Sequence, residues 1–213
     1  MLPLIIVFAK SPQPGLAKTR LVPALGERGA ARLARQLLQH TLAQAMAAEL
    51  GGVELCMSPA PGDASWRALM LPEGLQFSSQ GDGDLGARMA RAAQRALRQH
   101  PSVLLIGTDC PMLDAARLRR AAQALARHGA TLHPAADGGY VLLGLSRYDA
   151  SLFDAIAWSS ASVAASTRAR FGRLGWPLHE GETLHDIDTP DDLVHLPPHL
   201  AVAAEERLPC AAP

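Results

Sequence analysis

"SVLLIGTDCP", Ser102–Pro111, is the stretch whose reading decides the fold. Its aliphatic run, Val103–Ile106, is bounded by Ser and Gly and shows no polar alternation, which suits a strand buried on both faces. Strands of that kind belong to parallel sheets covered by helices on either side. The run then delivers a carboxylate, Asp109, flanked by Thr108 and followed by a proline two residues on. A lone charge at a buried strand end is costly, so Asp109 calls for a cation nearby.

Similar runs lie on either side of it. "LPLIIVFA" (Leu2–Ala9), "VELCMS" (Val53–Ser58) and "LQFSS" (Leu75–Ser79) are short, apolar or β-branched, and bounded by Gly, Pro, Asp or Ser. Helical patterns lie between them. From Asp84 to His100, Leu85, Met89, Ala92, Ala93, Ala96 and Leu97 recur on one face while Arg88, Arg91, Arg95 and Arg98 largely keep to the other. Asp114–His128 repeats the design with Leu118, Ala122 and Leu125. The implied class is α/β, a mostly parallel sheet with both faces covered. Further on, "TLHPA" and "ADGGYVLLGL" read as strand, turn, strand. "TLHDIDTPDDLVHL" (Thr183–Leu196) reads as an extended piece entering a helix, with Thr189 as N-cap and Pro190 as first residue. One domain over residues 1–196 is expected, with 197–213 a Pro- and Ala-rich tail on the surface.

Composition removes several classes of function. The 213 residues, 48% of them hydrophobic, suffice for a sizeable core, and 20 Lys and Arg balance 20 Asp and Glu. No overall field therefore draws the chain to nucleic acid or an anionic membrane, and any phosphate chemistry must be local. The cysteines, Cys56, Cys110 and Cys210, are far apart and form no C-x-x-C pair, which argues for reduced thiols and a cytoplasmic setting. The N-terminal apolar run is too short for a membrane span and lacks a basic lead-in for secretion.

In an open α/β sheet ligands collect at the carboxyl ends of strands, and the polar residues gather there. The first strand empties into "KSPQPGLAKTR" (Lys10–Arg20), where Gly15 would let backbone N–H groups approach an anion and Lys18 and Arg20 add full charges. The loop is not a P-loop: Ala17 stands where that motif needs a glycine before the lysine. "GDGDLG" (Gly81–Gly86) is a literal G-x-G-x-x-G, and Asp109 lies about where a ribose-binding acid would. That raises a Rossmann-type dinucleotide-binding oxidoreductase as an alternative. Against it, Asp82 and Asp84 would face a pyrophosphate with no cation in the loop to offset them, and Asp84 equally suits a helix cap.

Asp186 and Asp188 offer carboxylates that could join Asp109 over a triphosphate and hold Mg²⁺, partly through its waters. In "ADGGYVLLG", Gly138 and Gly139 suit either a hairpin turn or bulge, or close approach of the backbone to a substrate with Asp137 and Tyr140 aimed at it. The eight histidines form no close metal pair.

Taken in order, "FAKSPQPGLAKTRL", "GDLGARM", "GTDCP", "DGGYVLLGL" and "DIDTPDDL" resemble a bacterial family of glycosyltransferase-like proteins related to phospholactate guanylyltransferase, within the GT-A-type nucleotide-diphospho-sugar transferases. The resemblance implies a three-layer α/β/α sandwich around a mixed sheet and nucleotide binding at the loop after the first strand. It also implies a divalent metal, Mg²⁺ or Mn²⁺, held by Asp109, with Asp186 as second ligand ahead of Asp188. In the related nucleotidyltransferases the first loop is glycine-rich; here only Gly15 remains, while Lys18 and Arg20 match its basic end.

The expected activity is transfer of a nucleotidyl or sugar group from a nucleoside triphosphate or nucleotide-sugar to a small-molecule acceptor. In nucleotidyl transfer an ionised phosphate acceptor attacks the α-phosphate while Lys18 and Arg20 neutralise charge, and no protein nucleophile is needed. In glycosyl transfer an acceptor hydroxyl needs a base, for which Asp137 is the candidate. Expected nucleotide contacts are Gly15 and Thr19 in the first loop, and Gly81, Asp84 and Gly86 in the glycine-rich loop. Thr108, Gly138 and Gly139, at the later strand ends, complete them. A nucleotide-binding relative without turnover is the non-enzymatic alternative.

Overall fold

β1 (Leu4–Lys10) sits inside the sheet because both of its faces are apolar. Ile5 and Val7 pack into one buried cluster and Leu4 and Ile6 into another across the sheet. The computed structural model describes residues 2–201. The other strands are β2 (Val53–Ser58), β3 (Gln76–Ser79), β4 (Val103–Ile106), β5 (Ala130–Pro134), β6 (Tyr140–Leu145) and β7 (His179–Glu180). Their order across the sheet is β3-β2-β1-β4-β6-β5-β7. β1, β2, β3 and β4 run parallel, β6 is antiparallel to both β4 and β5, and β7 is parallel to β5.

Helices cover both faces. α1 (Val22–Ala47) and α3 (Ala115–His128) contribute Leu38, Leu42, Leu118 and Leu125 to the cluster of Ile5 and Val7. α2 (Leu85–Ala96) and α4 (Val163–Leu174) contribute Met89, Ala93 and Phe171 to the other. The result is a three-layer α/β/α sandwich on a mixed, mostly parallel sheet, as the apolar strands and amphipathic helices imply. Asp84 and Asp114 are the N-caps of α2 and α3, accepting the backbone N–H of Ala87 and Arg117 respectively.

Two expectations shift. The piece after Thr189 is a 3-10 turn, Pro190–His195, rather than an α-helix, although its start is as read. The Asp192 carboxylate accepts the Thr189 N–H at 2.7 Å and the Thr189 hydroxyl at 2.8 Å. The packing also continues past Leu196: Pro198–Leu200 form another 3-10 turn, and Leu200 is buried with Leu21, Leu33 and Ile187. The rest of the expected tail, from 202 on, and Cys210 lie outside the described residues. Cys56 and Cys110 are free and buried. Among the described residues no helix is long and apolar enough to cross a membrane.

One charge lies within the apolar run of β2. Glu54, 2% exposed, receives both Arg95 guanidinium nitrogens (2.6 and 2.8 Å) and the Ser78 hydroxyl (2.6 Å), which ties α2 to β2 and β3. A buried carboxylate that loses its cation is strongly destabilising, whereas removing both members is far less so. Arg95→Met should therefore cost about 3 kcal/mol in urea denaturation. Adding Glu54→Gln should recover most of that loss.

Candidate active site

The strand order reverses between β1 and β4: from β1 the chain proceeds through β2 and β3 to one edge, then returns to place β4 on the other side of β1. In open α/β sheets this switch point, at the carboxyl ends of the strands, is where ligands bind. The loop after β1 carries Lys18 and Arg20, and the turn after β4 carries Asp109. A third segment crosses the same edge. Its Leu184 N–H donates to Pro134 O and its Leu184 carbonyl accepts from Ala136, both at 2.9 Å, while the Ile187 N–H donates to Asp109 O at 2.8 Å. Ile187 is fully buried, and the extended backbone puts Asp186 and Asp188 on one face.

Lys18 closes the arrangement. It has left-handed backbone angles (φ 50°, ψ 43°), unusual for a residue with a Cβ, held by the turn in which Leu21 N–H bonds Lys18 O at 2.8 Å. Its ammonium pairs directly with Asp109 and with Asp188 (2.7 Å) and donates to Ile187 O at 2.6 Å; the side chain is 8% exposed. Burial pulls the ammonium's pKa down, but the carboxylates of Asp109 and Asp188 outweigh it and hold the pKa above the ordinary lysine value.

An open cleft lies beside this ion pair, lined among others by Arg20, Asp137, His185, Asp186 and Asp188. Asp186 is pushed up to about 7, first by burial and then by Asp109, Asp188 and Asp137, with Lys18 acting the other way. Arg20 is exposed at the cleft with no ion pair or hydrogen bond among the described residues, which leaves its five donors free for an anion. Asp137 is exposed at the tip of the β5–β6 connection, its Oδ1 accepting the Gly139 N–H at 2.8 Å. That connection is a five-residue loop with a bulge at His133/Pro134. At Gly138 (φ +90°) a Cβ would collide with the Ala161 backbone, so the loop tip carrying Asp137 is fixed against the chain leading into α4.

The structure corrects several expectations. Lys18 and Arg20 do not face one open space together, because Lys18 is spent on Asp109 and Asp188. Of the two aspartates in the crossing segment, Asp188 is the one in contact with Lys18, while both line the cleft. Gly15 (φ +73°) lies outside the cleft lining, with the Glu27 carboxylate 3.5 Å from where a Cβ would stand. Thr19 is exposed in the turn outside the cleft lining, and Thr108 is half-buried beside Asp109.

The "GDGDLG" loop is filled by its own protein. Asp84 is occupied as N-cap, the Arg91 guanidinium lies against Gly81 and donates to the Gln80 and Asp82 carbonyls, and Gly86 is packed under the Trp158 indole. It also follows β3, the outermost strand, rather than a strand at the reversal. Gly81, Asp84 and Gly86 therefore build a turn, and a dinucleotide fingerprint has no place there. His185 was passed over in the sequence because nothing marks a lone histidine before an extended Asp-x-Asp; it stacks on His195 with ring centroids 3.9 Å apart.

Residues 41–160, more than half the chain, match the family described as "Uncharacterized protein conserved in bacteria (DUF2064)". The chain belongs to this family. It is similar to a solved "putative nucleotide-diphospho-sugar transferase" from Desulfovibrio desulfuricans G20, with 32% identity and a TM-score of 0.82, covering 90% of this chain and 84% of that one. A manganese complex of Rv0371c from Mycobacterium tuberculosis H37Rv shares the fold at 21% identity and TM-score 0.54, covering 92% of this chain and 98% of that one. So does 2-C-methyl-D-erythritol 4-phosphate cytidylyltransferase from Thermus thermophilus, at 21% identity and TM-score 0.52, covering 91% of this chain and 96% of that one. No curated protein matches the chain in sequence. The relation to phospholactate guanylyltransferase read from the motifs finds no match of its own among these.

The raised Asp186 carboxyl gives a pH test. Between about pH 4 and pH 7 a carboxyl raised in this way holds its proton in the native state and not in the unfolded chain, so the stability contributed by Asp186 falls as pH rises through that window. In EDTA, Asp186→Asn should stabilise the protein more at pH 8 than at pH 5, by about 2 kcal/mol on the linkage relation. Thermal melts of both proteins at the two pH values check it.

Proposed function

We propose that this DUF2064 protein is a metal-dependent transferase that moves a nucleotidyl or sugar group from a nucleoside triphosphate or nucleotide-sugar to a small-molecule acceptor. The observation that carries this reading is the meeting of Asp109, Asp186 and Asp188 with Lys18 at the β1/β4 reversal, beside the exposed Arg20. Transferase chemistry in the fold's structural neighbours supports it.

The donor set suits a hard divalent cation, since every candidate ligand is a carboxylate oxygen. Among the described residues no group of three or more His, Cys, Asp or Glu side chains is arranged to hold a metal by protein alone. Mg²⁺ needs no such group, since one or two carboxylates can share the ion with waters and substrate phosphates. Asp109 and Asp186 would hold it, with Asp188 alongside, and a cation there supplies charge stabilisation to a departing diphosphate or pyrophosphate.

The chain's own residues do the rest. Arg20 grips the phosphate with its planar fork. A phosphate acceptor is already ionised and needs no base. In the sugar-transfer version Asp137, exposed on the fixed loop tip, takes the acceptor's proton. Gly138 and Gly139 serve by holding Asp137 there.

The test is thermal stabilisation by nucleoside triphosphates and nucleotide-sugars with and without Mn²⁺. Stabilisation should require the metal. Asp109→Asn should abolish the metal-dependent stabilisation, and Arg20→Ala should weaken binding by about 1–3 kcal/mol, the range for a charge-assisted hydrogen bond. Stabilisation by NAD or NADP that ignores both substitutions would overturn the assignment.

A further inference from the structure

We propose that the Lys18 ammonium is a built-in counter-ion that holds the carboxylates of the site closed, and that a divalent cation must displace it to bind. The inference rests on the metal-dependent reading above and deepens it. Metal binding and release of Lys18 are then one event, and the freed ammonium becomes available to the phosphates of the incoming substrate.

The geometry is that of a small cation already in place. Lys18 Nζ contacts a carboxylate oxygen of Asp109, one of Asp188 and the Ile187 carbonyl, so its three N–H donors have three oxygen acceptors. A hard metal ion asks for the same kind of oxygens. The side chain is 8% exposed, buried beside the cleft, whereas Arg20 is exposed in the cleft lining with its donors unpaired among the described residues. The backbone at Lys18 is left-handed, a conformation a residue with a Cβ adopts at a cost and holds here through the contacts of its turn and its side chain.

Composition points the same way. Of the 20 lysines and arginines only two are lysines: Lys10, which ends β1, and Lys18 in the loop that follows. A compact ammonium on a flexible stem can stand in for a metal ion and leave; a planar guanidinium fork would clamp a carboxylate. Among the described residues Asp186, on the same extended face as Asp188, has no cation in contact, so the closed state satisfies two of the three aspartates and retains a pull on a further positive charge.

Two measurements test this without reading turnover. In the first, free Mn²⁺ is followed by electron paramagnetic resonance as it is titrated alone into wild-type protein and Lys18→Met. The variant should bind Mn²⁺ at least tenfold more tightly, and Lys18→Arg should bind no better than wild type. Equal, measurable affinity in wild type and Lys18→Met would overturn the counter-ion while leaving the metal site standing. No Mn²⁺ binding by any of the three proteins, with or without added inorganic pyrophosphate, would remove both.

The second measurement uses the unmodified chain. Reductive methylation followed by peptide mass spectrometry should modify the exposed Lys10 in all conditions. It should spare Lys18 in EDTA and modify it when Mn²⁺ is saturating. Equal modification of Lys18 with and without Mn²⁺ would contradict displacement.

Discussion

The pairing of Lys18 with Asp109 and Asp188 fixes the active edge of the molecule. A carboxylate that ends a buried strand must find a cation, and Asp109 finds one supplied by the neighbouring strand's loop. Bringing Lys18 there requires a left-handed residue, a tight turn after it, and Leu21 driven into the core as an anchor. It also requires the Leu184–Asp188 segment to be pinned across the edge, which the Ile187–Asp109 backbone bond and the burial of Ile187 accomplish. The arrangement is electrostatically lopsided: Asp109, Asp137 and Asp188 all act on Asp186, and Lys18 is the cation that opposes them there. Surplus negative charge of this kind is what the proposed uptake of a metal ion calls for.

Topology places this pairing where it can matter. β1 and β4 are adjacent and parallel, yet the chain travels in opposite directions across the sheet from them, so their loops part and leave a crevice. The antiparallel β6 and the bulged loop between β5 and β6 bring Asp137 to the same edge, and Gly138 locks that loop against the chain before α4. The glycine-rich loop after β3 lies outside the reversal. Its carbonyls are taken by Arg88 and Arg91 of the helix it introduces, and Gln80 ties its base to the Ala9 and Cys56 carbonyls at 3.0 Å.

Much of this was legible in the residues. Continuous aliphatic runs flanked by amphipathic stretches sufficed for the parallel core, and the caps at Asp84 and Thr189 follow from local hydrogen bonding alone. The convergence of Lys18, Asp109 and the Asp186–Asp188 segment was also readable, because strand ends gather at one edge whatever the loops do. Direct contact within that cluster was not. Whether Lys18 faces a vacancy or a carboxylate depends on one left-handed φ angle, and no side-chain pattern in "GLAKTR" announces it. The choice between Asp186 and Asp188 likewise depends on how a segment 170 positions away registers against Lys18. "GDGDLG" misled for the complementary reason: its spacing is that of a phosphate loop, and only the arginines one turn into the helix and Trp158, far along the chain, show it to be filled.

The central claim is that Lys18, Asp109 and the Asp186–Asp188 segment form a cation- and phosphate-binding site. Anomalous diffraction at the manganese edge, from crystals grown with Mn²⁺ and a non-hydrolysable nucleoside triphosphate, tests it most directly. The account predicts a manganese peak within bonding distance of Asp109 and at least one of Asp186 and Asp188, with Lys18 Nζ moved off Asp109 and Arg20 on a phosphate. Manganese elsewhere, or a nucleotide seated on Gly81–Gly86 with the Lys18–Asp109 pair intact, would contradict it.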